Sequence, residues 1–198
     1  VGFLFQNSGQ PYQFSNVSVN TRHIAEAFFR SSHLRSPGRI ENSFANESFM
    51  DELAFEAKAD PVEFRLKYLK DPRDIAVVKA AAEKAGWKSR PSPNKANPSS
   101  GTVSGRGIAY SQRGGTVVAI VAEVDVDRTT GKIWARKFTV AHDCGQIINP
   151  DGVINQAEGG IVQAISWTLK EQVRFDRTRI TSRDWESYPI LTFEDVPT

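Results

Sequence analysis

The clearest apolar periodicity lies between Asn42 and Ala57, where Ala45, Phe49, Leu53 and Ala57 recur every four residues and predict a helix with one core-facing stripe. Two more helices are predicted directly after it. Asp60 caps the second, Pro61 takes its first position, Glu63 completes a capping-box pattern, and Val62, Leu66 and Leu69 face inward. Asp71 and Pro72 repeat that start for a third helix, which carries Ile75, Val78, Ala82 and Ala85 and ends at Gly86. Ahead of these helices the chain reads as loop and strand. Phe14, Val17 and Val19 give weak alternation there, and Arg35-Ser36-Pro37-Gly38 reads as a turn.

From Lys88 to Gly105 the sequence is rich in Pro, Ser, Asn and Gly without periodicity, which predicts a surface loop dividing residues 1–87 from 106–198. Beyond it, Thr116 to Asp127 and Lys132 to His142 predict two strands joined through Arg128-Thr129-Thr130-Gly131 as an antiparallel hairpin. Glu123, Asp125 and Asp127 alternate with Val124 and Val126, so one face of that hairpin is wet. A fourth helix starts where Asn149 caps and Pro150 opens it, and runs to about Leu169. The element pattern is α+β: a mixed sheet with packed helices.

The fourth helix holds the most informative chemistry. Val153, Ala157, Ile161, Ala164 and Thr168 share one face, while Gln156, Gly160 and Gln163 lie on another. Glycine in a helix interior costs about 1 kcal/mol relative to alanine, so the pair Gly159 and Gly160 calls for close approach of something, a backbone or a flat ligand. Glutamines on that face carry donors and an acceptor suited to a heterocycle edge or a phosphate oxygen. Tight helix-to-strand packing with solvated glutamines explains the same pattern.

His142-Asp143-Cys144-Gly145 sits on the strand-to-helix turn before that cap. One Cys, one His and one Asp in adjacent positions do not make a four-ligand metal shell, so no metal site is expected. Cys144 as a nucleophile would need His142 within hydrogen-bond reach; otherwise it is a buried, inert thiol. Arg35 and Arg39, beside their turn, could take an anion in bidentate fashion or simply be solvated. His23 and His33 have no partner in sequence and receive no role.

Composition narrows the picture further. The 198 residues carry 25 basic and 23 acidic side chains, a formal net charge of +2, which leaves no electrostatic footprint for nucleic acid. No apolar run approaches the roughly 20 residues that a membrane-spanning helix needs. The single cysteine excludes an internal disulfide and any iron-sulfur cluster held by this chain alone. Both ends, Val1-Gly2-Phe3-Leu4-Phe5 and Val196-Pro197-Thr198, read as cut inside a larger domain, so an excised segment is expected.

Taken in order, Leu34-Arg35-Ser36-Pro37-Gly38, the run Asn42 to Ala54 and Asp60-Pro61-Val62-Glu63-Phe64-Arg65 resemble the molybdopterin-binding large subunits of the xanthine dehydrogenase superfamily, or molybdenum hydroxylases. They are most similar to the isoquinoline 1-oxidoreductase beta-subunit and aldehyde dehydrogenase-like branch. Asp143-Cys144-Gly145, Asn149-Pro150, Gln156 to Gly160 and Tyr188-Pro189-Ile190 continue the resemblance in the same order, over nearly the whole chain outside 88–105.

The resemblance implies cofactor-binding roles for Arg35 in a cofactor loop, for Gln156 on the helix, and for Gly159 and Gly160 where the helix is packed tightly. Gln163 joins them by its place on the same helix face. It implies molybdopterin with molybdenum, in the cytosine dinucleotide form, and [2Fe–2S] clusters on a small partner subunit. The family's catalytic glutamate lies beyond the Tyr188-Pro189-Ile190 segment, so no catalytic residue and no bound cofactor are expected in this chain alone, which should be inactive. The implied reaction is hydroxylation by water of an aldehyde or of an N-heteroaromatic carbon, with the glutamate as general base. Members of this branch often work on the periplasmic side. The partners expected are the small iron-sulfur subunit, the rest of the large subunit and a small-molecule substrate, with self-association through exposed strand edges.

Two other readings stay open on the residues themselves. A non-catalytic packing or subunit-interaction domain would show an apolar patch with Gln156 at its rim, whereas a cofactor-facing Gln156 would be buried in a groove bordered by Arg35. A cysteine-dependent enzyme requires His142 and Cys144 in mutual contact.

Overall fold

The computed structural model describes residues 11–20, 22, 34–92 and 101–197. Its elements follow the order α1 (Arg39–Glu56), α2 (Pro61–Tyr68), α3 (Pro72–Lys84), β1 (Thr102–Arg113), β2 (Thr116–Asp127), β3 (Ile133–Asp143) and α4 (Pro150–Leu169), then a short 3-10 turn at Phe193–Asp195. The strands form one antiparallel sheet in the order β1-β2-β3, which places the chain in the α+β class. Two compact units share these elements. The first comprises Val1–Lys95, Ile108–Ile120 and Ala141–Asp143, and the second Ala96–Gly107, Val121–Val140 and Cys144–Thr198. The sequence readings at Val1 to Phe5, His23, His33 and residues 93–100 lie outside the described residues.

In the first unit, the turn before α1 uses two positive φ angles, at Ser36 (60°) and Gly38 (70°), and closes with the Arg39 amide on the Ser36 carbonyl at 3.0 Å. The stripe predicted for α1 is not the buried one. Glu47, Met50 and Ala54 are buried, whereas Ala45 and Ala57 are exposed and Phe49 keeps 58% of its surface in solvent. A buried glutamate accounts for the difference. Arg65 of α2 is fully buried and donates from Nε to Glu47 Oε2 at 2.8 Å, from Nη2 to the Glu47 carbonyl at 3.0 Å, and from Nη1 to Asp51 at 2.7 Å and to the Pro61 carbonyl at 3.1 Å. Glu47 also accepts from the Tyr12 hydroxyl at 2.8 Å and the Tyr110 amide at 2.9 Å. Burial opposes the charge of Arg65, yet the carboxylate of Glu47 outweighs it and raises the guanidinium above its ordinary range.

The caps behave as local chemistry dictates. Asp60 accepts from the amides of Val62 (2.8 Å) and Glu63 (3.1 Å), and its other oxygen accepts from Trp87 Nε1 (2.9 Å) and the Arg90 amide (3.0 Å). One carboxylate thereby starts α2 and ties down the chain that follows α3. Glu63 takes the Ser89 hydroxyl at 2.6 Å. The inward side of α2 is Val62, Phe64, Arg65 and Leu69, with Leu66 only half-buried. On α3, Val78 and Ala82 are buried as expected, together with Val77 and Ala81. Gly86, at φ 59°, ends that helix in the left-handed conformation that suits glycine.

The strand that sequence patterning did not predict is β1, whose first four residues fall in the stretch read as loop. Gly114 (φ 55°) and Gly115 (φ 82°) supply the two positive φ angles of a tight hairpin turn, joining β1 to β2. In the second unit the pairing is visible in side chains. Ser104 donates to Asp125 at 2.6 Å, and Arg106 pairs with Glu123 at 3.5 Å. The β2–β3 hairpin forms at the predicted place. There Asp127 Oδ1 accepts from the amides of Thr129 and Thr130 at 2.7 and 3.0 Å, and Gly131 adopts φ 72°. Along β2, Val117, Ala119 and Val121 are buried, while Glu123, Asp125 and Asp127 continue the same face half-buried, as are Val124 and Val126 on the other, so exposure does not set apart the wet face expected there. Asp125 also accepts from Arg136 Nε at 2.7 Å. The indole of Trp134 lies between Lys132 (4.9 Å) and Arg136 (5.4 Å).

The Arg65 network supports a stability prediction. Arg65→Ala leaves the Glu47 carboxylate buried without its counter-ion and should cost about 3–5 kcal/mol in urea unfolding, and Arg65→Lys should recover only part, because an ammonium cannot reproduce the planar fork of donors.

Candidate functional site

The second unit contains α4, twenty residues long. It forms where predicted because Asn149 Oδ1 accepts the Gly152 amide at 3.0 Å and Pro150 needs no amide partner at the first helical position. Asp151 adds negative charge to the first turn, where the helix dipole favours it. Gly152 has a local reason to lack a side chain, since a Cβ there would lie 3.3 Å from Cγ of the capping Asn149.

The burial of α4 departs from the face predicted for it. Val153, Ala157 and Ile161 are only half-buried, Ala164 and Thr168 are exposed, and the buried residues are Ile165 and Ser166 near the C-terminal end. Thr168 turns its hydroxyl back to the Ala164 carbonyl at 2.7 Å. Gln156 is exposed, not buried in a groove as the cofactor-facing reading expected, and Gln163 is half-buried. Gly159 is exposed and Gly160 half-buried, and a methyl added at Gly159 would meet nothing within 4 Å. The close neighbour that this glycine invites is therefore not supplied by the described residues. Ile147, Ile148 and Ile154 leave 44%, 84% and 55% of their surfaces exposed at and before the start of the same helix.

Arg35 is exposed and belongs to the first unit, as does Asp143, while Gln156, Gly159, Gly160 and Gln163 lie together on α4 in the second. Within the first unit, Arg73 at the start of α3 holds Asp143 in a bidentate pair, Nε to Oδ2 at 2.8 Å and Nη2 to Oδ1 at 2.7 Å, and also reaches the Gly115 carbonyl at 2.8 Å. The hydrogen bonds from Asp143 and then its charge raise the Arg73 guanidinium above its ordinary value. His142 Nδ1 is buried without a hydrogen-bond partner among the described residues, so the imidazole makes no activating bond through that nitrogen. Cys144 is a half-buried free thiol, and Gly145 turns the chain at φ 77°. Among the described residues no group of three or more His, Cys, Asp or Glu side chains is arranged to hold a metal ion, and no helix is long and apolar enough to cross a membrane.

Beyond α4, a set of contacts that sequence reasoning missed joins the helix end to the following chain. Ser166 and Tyr188 both donate to Glu171, and the Leu191 amide donates to the Ser166 hydroxyl. Tyr188-Pro189 carried a motif signal, but Glu171 had none. A groove of about 710 Å³ lies in the same unit, between residues 131–137 of the β3 region, Thr168 to Lys170, and the stretch from Leu191 to Pro197.

Comparison with known proteins identifies the family. Two models, each described as a molybdopterin cofactor-binding domain, match residues 50–197 and 1–69. Over 195 residues the chain is 40% identical to a nicotinate dehydrogenase subunit from Pseudomonas putida, a match covering 94% of this chain and 16% of the relative. It is 34% identical to the beta subunit of isoquinoline 1-oxidoreductase from Brevundimonas diminuta, covering 83% of this chain and 20% of the relative. A membrane-bound aldehyde dehydrogenase of Gluconacetobacter polyoxogenes is 31% identical, over 88% of this chain and 24% of the relative. Among solved structures, quinoline 2-oxidoreductase from Pseudomonas putida 86 matches 42% of this chain and 11% of its own, at 36% identity and a TM-score of 0.41. The chain belongs to the molybdopterin cofactor-binding domain family of molybdenum hydroxylase large subunits. It spans about a fifth of the length of these relatives.

The geometry of α4 separates two substitutions. Asn149→Ala removes the cap and should lower stability by about 1 kcal/mol in thermal unfolding. Gly159→Ala meets open space on a helix and should leave the protein as stable as before or up to about 1 kcal/mol more stable.

Proposed function

We propose that this chain contributes cofactor-binding surface to a molybdenum-dependent hydroxylase that oxidises an aldehyde or an N-heteroaromatic compound with water as the oxygen source. The open surface at Gly159 carries the proposal; Gln156, one helical turn away, is exposed and not enclosed in a groove by the described residues, so its part in the site rests on the family resemblance. A helix that spends two adjacent glycines and then buries only Ile165 and Ser166 is suited to receive something flat from outside the chain. Gln156, Gly159, Gly160 and Gln163 would hold the molybdopterin group from α4, and Arg35, in the first unit, is a separate candidate for holding an anion. The bound cofactor, in its cytosine dinucleotide form, supplies the redox chemistry. The residues of this chain would bind and orient it.

The names of the relatives support the substrate class, two of them naming N-heteroaromatic compounds and one an aldehyde. They also support a multi-subunit enzyme, since nicotinate dehydrogenase and isoquinoline 1-oxidoreductase are matched through proteins named as subunits. One cysteine cannot ligate an iron-sulfur cluster, so any [2Fe–2S] centres lie outside this stretch, and a small partner subunit is their proposed holder. The exposed Ile147, Ile148 and Ile154 favour a second reading, in which α4 docks on a neighbouring protein segment and has no contact with the cofactor.

Metal and nucleotide analysis of the full-length protein, co-expressed with its small subunit, separates the two. Molybdenum and a released pyranopterin nucleotide are expected in the wild type, with both depleted in Gln156→Ala and Arg35→Ala. Full molybdenum content in both variants would favour the docking reading, and a wild type free of molybdenum when cofactor synthesis is intact would overturn the cofactor reading.

A further inference from the structure

The region where α4 meets the rest of the second unit is its C-terminal end. Ser166, 6% exposed, is buried there with Ile165. Its hydroxyl donates to Glu171 Oε1 at 2.5 Å and accepts the Leu191 amide at 3.0 Å. The second oxygen of Glu171 accepts the Tyr188 hydroxyl at 2.8 Å, and Lys170 pairs with Asp195 at 2.8 Å. A carboxylate accepting two hydroxyl protons makes stronger bonds than a neutral acceptor. The Glu171 bond raises the Tyr188 phenol above its ordinary value.

Among the described residues the fully buried positions of α4 are Ile165 and Ser166, so this end carries its tightest packing. At about 100° per residue, Ser166 lies roughly 60–80° round the helix from Gln163 and Gln156. A contact made on one side of a helix at that angle decides which way the glutamine stripe faces. We propose that Glu171 is a positioning residue for α4: by bridging Ser166 and Tyr188 it sets the rotation of the helix and hence the direction presented by Gln156 and Gln163. The inference rests on the cofactor-binding reading of α4 given above. It assigns Glu171 no contact with the cofactor and no part in proton transfer.

The test uses the full-length protein with its small subunit and compares Glu171→Ala, Glu171→Gln, Tyr188→Phe and the double variant Glu171→Ala/Tyr188→Phe. Molybdenum and nucleotide content per protein should fall about threefold or more in Glu171→Ala, as it does when a supporting residue of a binding group is lost. Glu171→Gln, whose amide still bridges two hydroxyls, should keep most of the cofactor. The double variant should lose no more than Glu171→Ala alone, because Tyr188 acts through Glu171. Ultraviolet titration should show one phenol moving to lower pH in Glu171→Ala and no such move in Gln156→Ala. Full cofactor content in a folded Glu171→Ala overturns the proposal, as does an equal loss in Glu171→Gln. If Glu171→Ala does not fold, Tyr188→Phe decides, and wild-type content in that variant overturns the proposal. Loss of cofactor in Gln156→Ala with none in Glu171→Ala sinks only the clasp, whereas a wild type without molybdenum sinks the reading beneath it.

Discussion

Arg65 has no surface in solvent, and a guanidinium taken out of water costs several kcal/mol unless every donor finds an acceptor. Its acceptors come from Glu47, Asp51 and Pro61, and Glu47 in turn requires the Tyr12 hydroxyl and the Tyr110 amide. Four stretches distant in sequence must therefore arrive together: the segment around Tyr12, α1, α2 and β1. A partly assembled version of this network is worse than none, since it leaves a charge buried and unsatisfied. The first unit is consequently tied to one relative placement of α1, α2 and the hairpin end of β1, in a way that interchangeable apolar contacts would not demand. Tyr12 and Tyr110 pack edge to face at 6.0 Å around the same carboxylate, adding apolar closure to the polar network.

Against this closed arrangement, α4 is open. Its start is secured by Asn149 and its end by Ser166 and Glu171, while in the middle Gln156 and Gly159 are exposed and Gly160 and Gln163 half-buried. A helix stabilised at its two ends keeps its central face available. The matched domain is a cofactor-binding one, and the relatives are roughly four to six times longer than the matched stretch.

Much of the fold was legible because helix starts are local chemistry. Asp60 before Pro61, Asp71 before Pro72 and Asn149 before Pro150 each announce a helix by satisfying amides that nothing else can satisfy, and all three helices begin there. The strand-like run from Thr116 to Asp127 likewise placed β2. Apolar periodicity failed on α1 because the decisive inward residue is Glu47, and a charge in a core is invisible to a search for hydrophobic stripes. It failed for β1 because Ser104, Gly105, Arg106 and Gly107 carry no apolar alternation and the strand is held in its register by its neighbour. On α4 the helix was legible but its buried face was not, since which side is covered depends on chain brought from far away. The proposed site residues Arg35 and Gln156 were reached through resemblance, and Glu171 escaped notice because a carboxylate just past a helix end has no signature of its own.

The two hairpins differ in how much change they can absorb. Between β1 and β2 the turn is two glycines, both at positive φ, and the pairs Ser104 with Asp125 and Arg106 with Glu123 fix the same alignment far from that turn. An inserted residue at 114–115 would break the turn, throw those pairs out of step and move every later side chain of one strand to the opposite surface. The β2–β3 connection is a longer loop organised by Asp127 and closed by Gly131, and extra residues could bulge outward there without disturbing the strands. Length variation among relatives therefore has a permitted address at 128–131 and a forbidden one at 114–115.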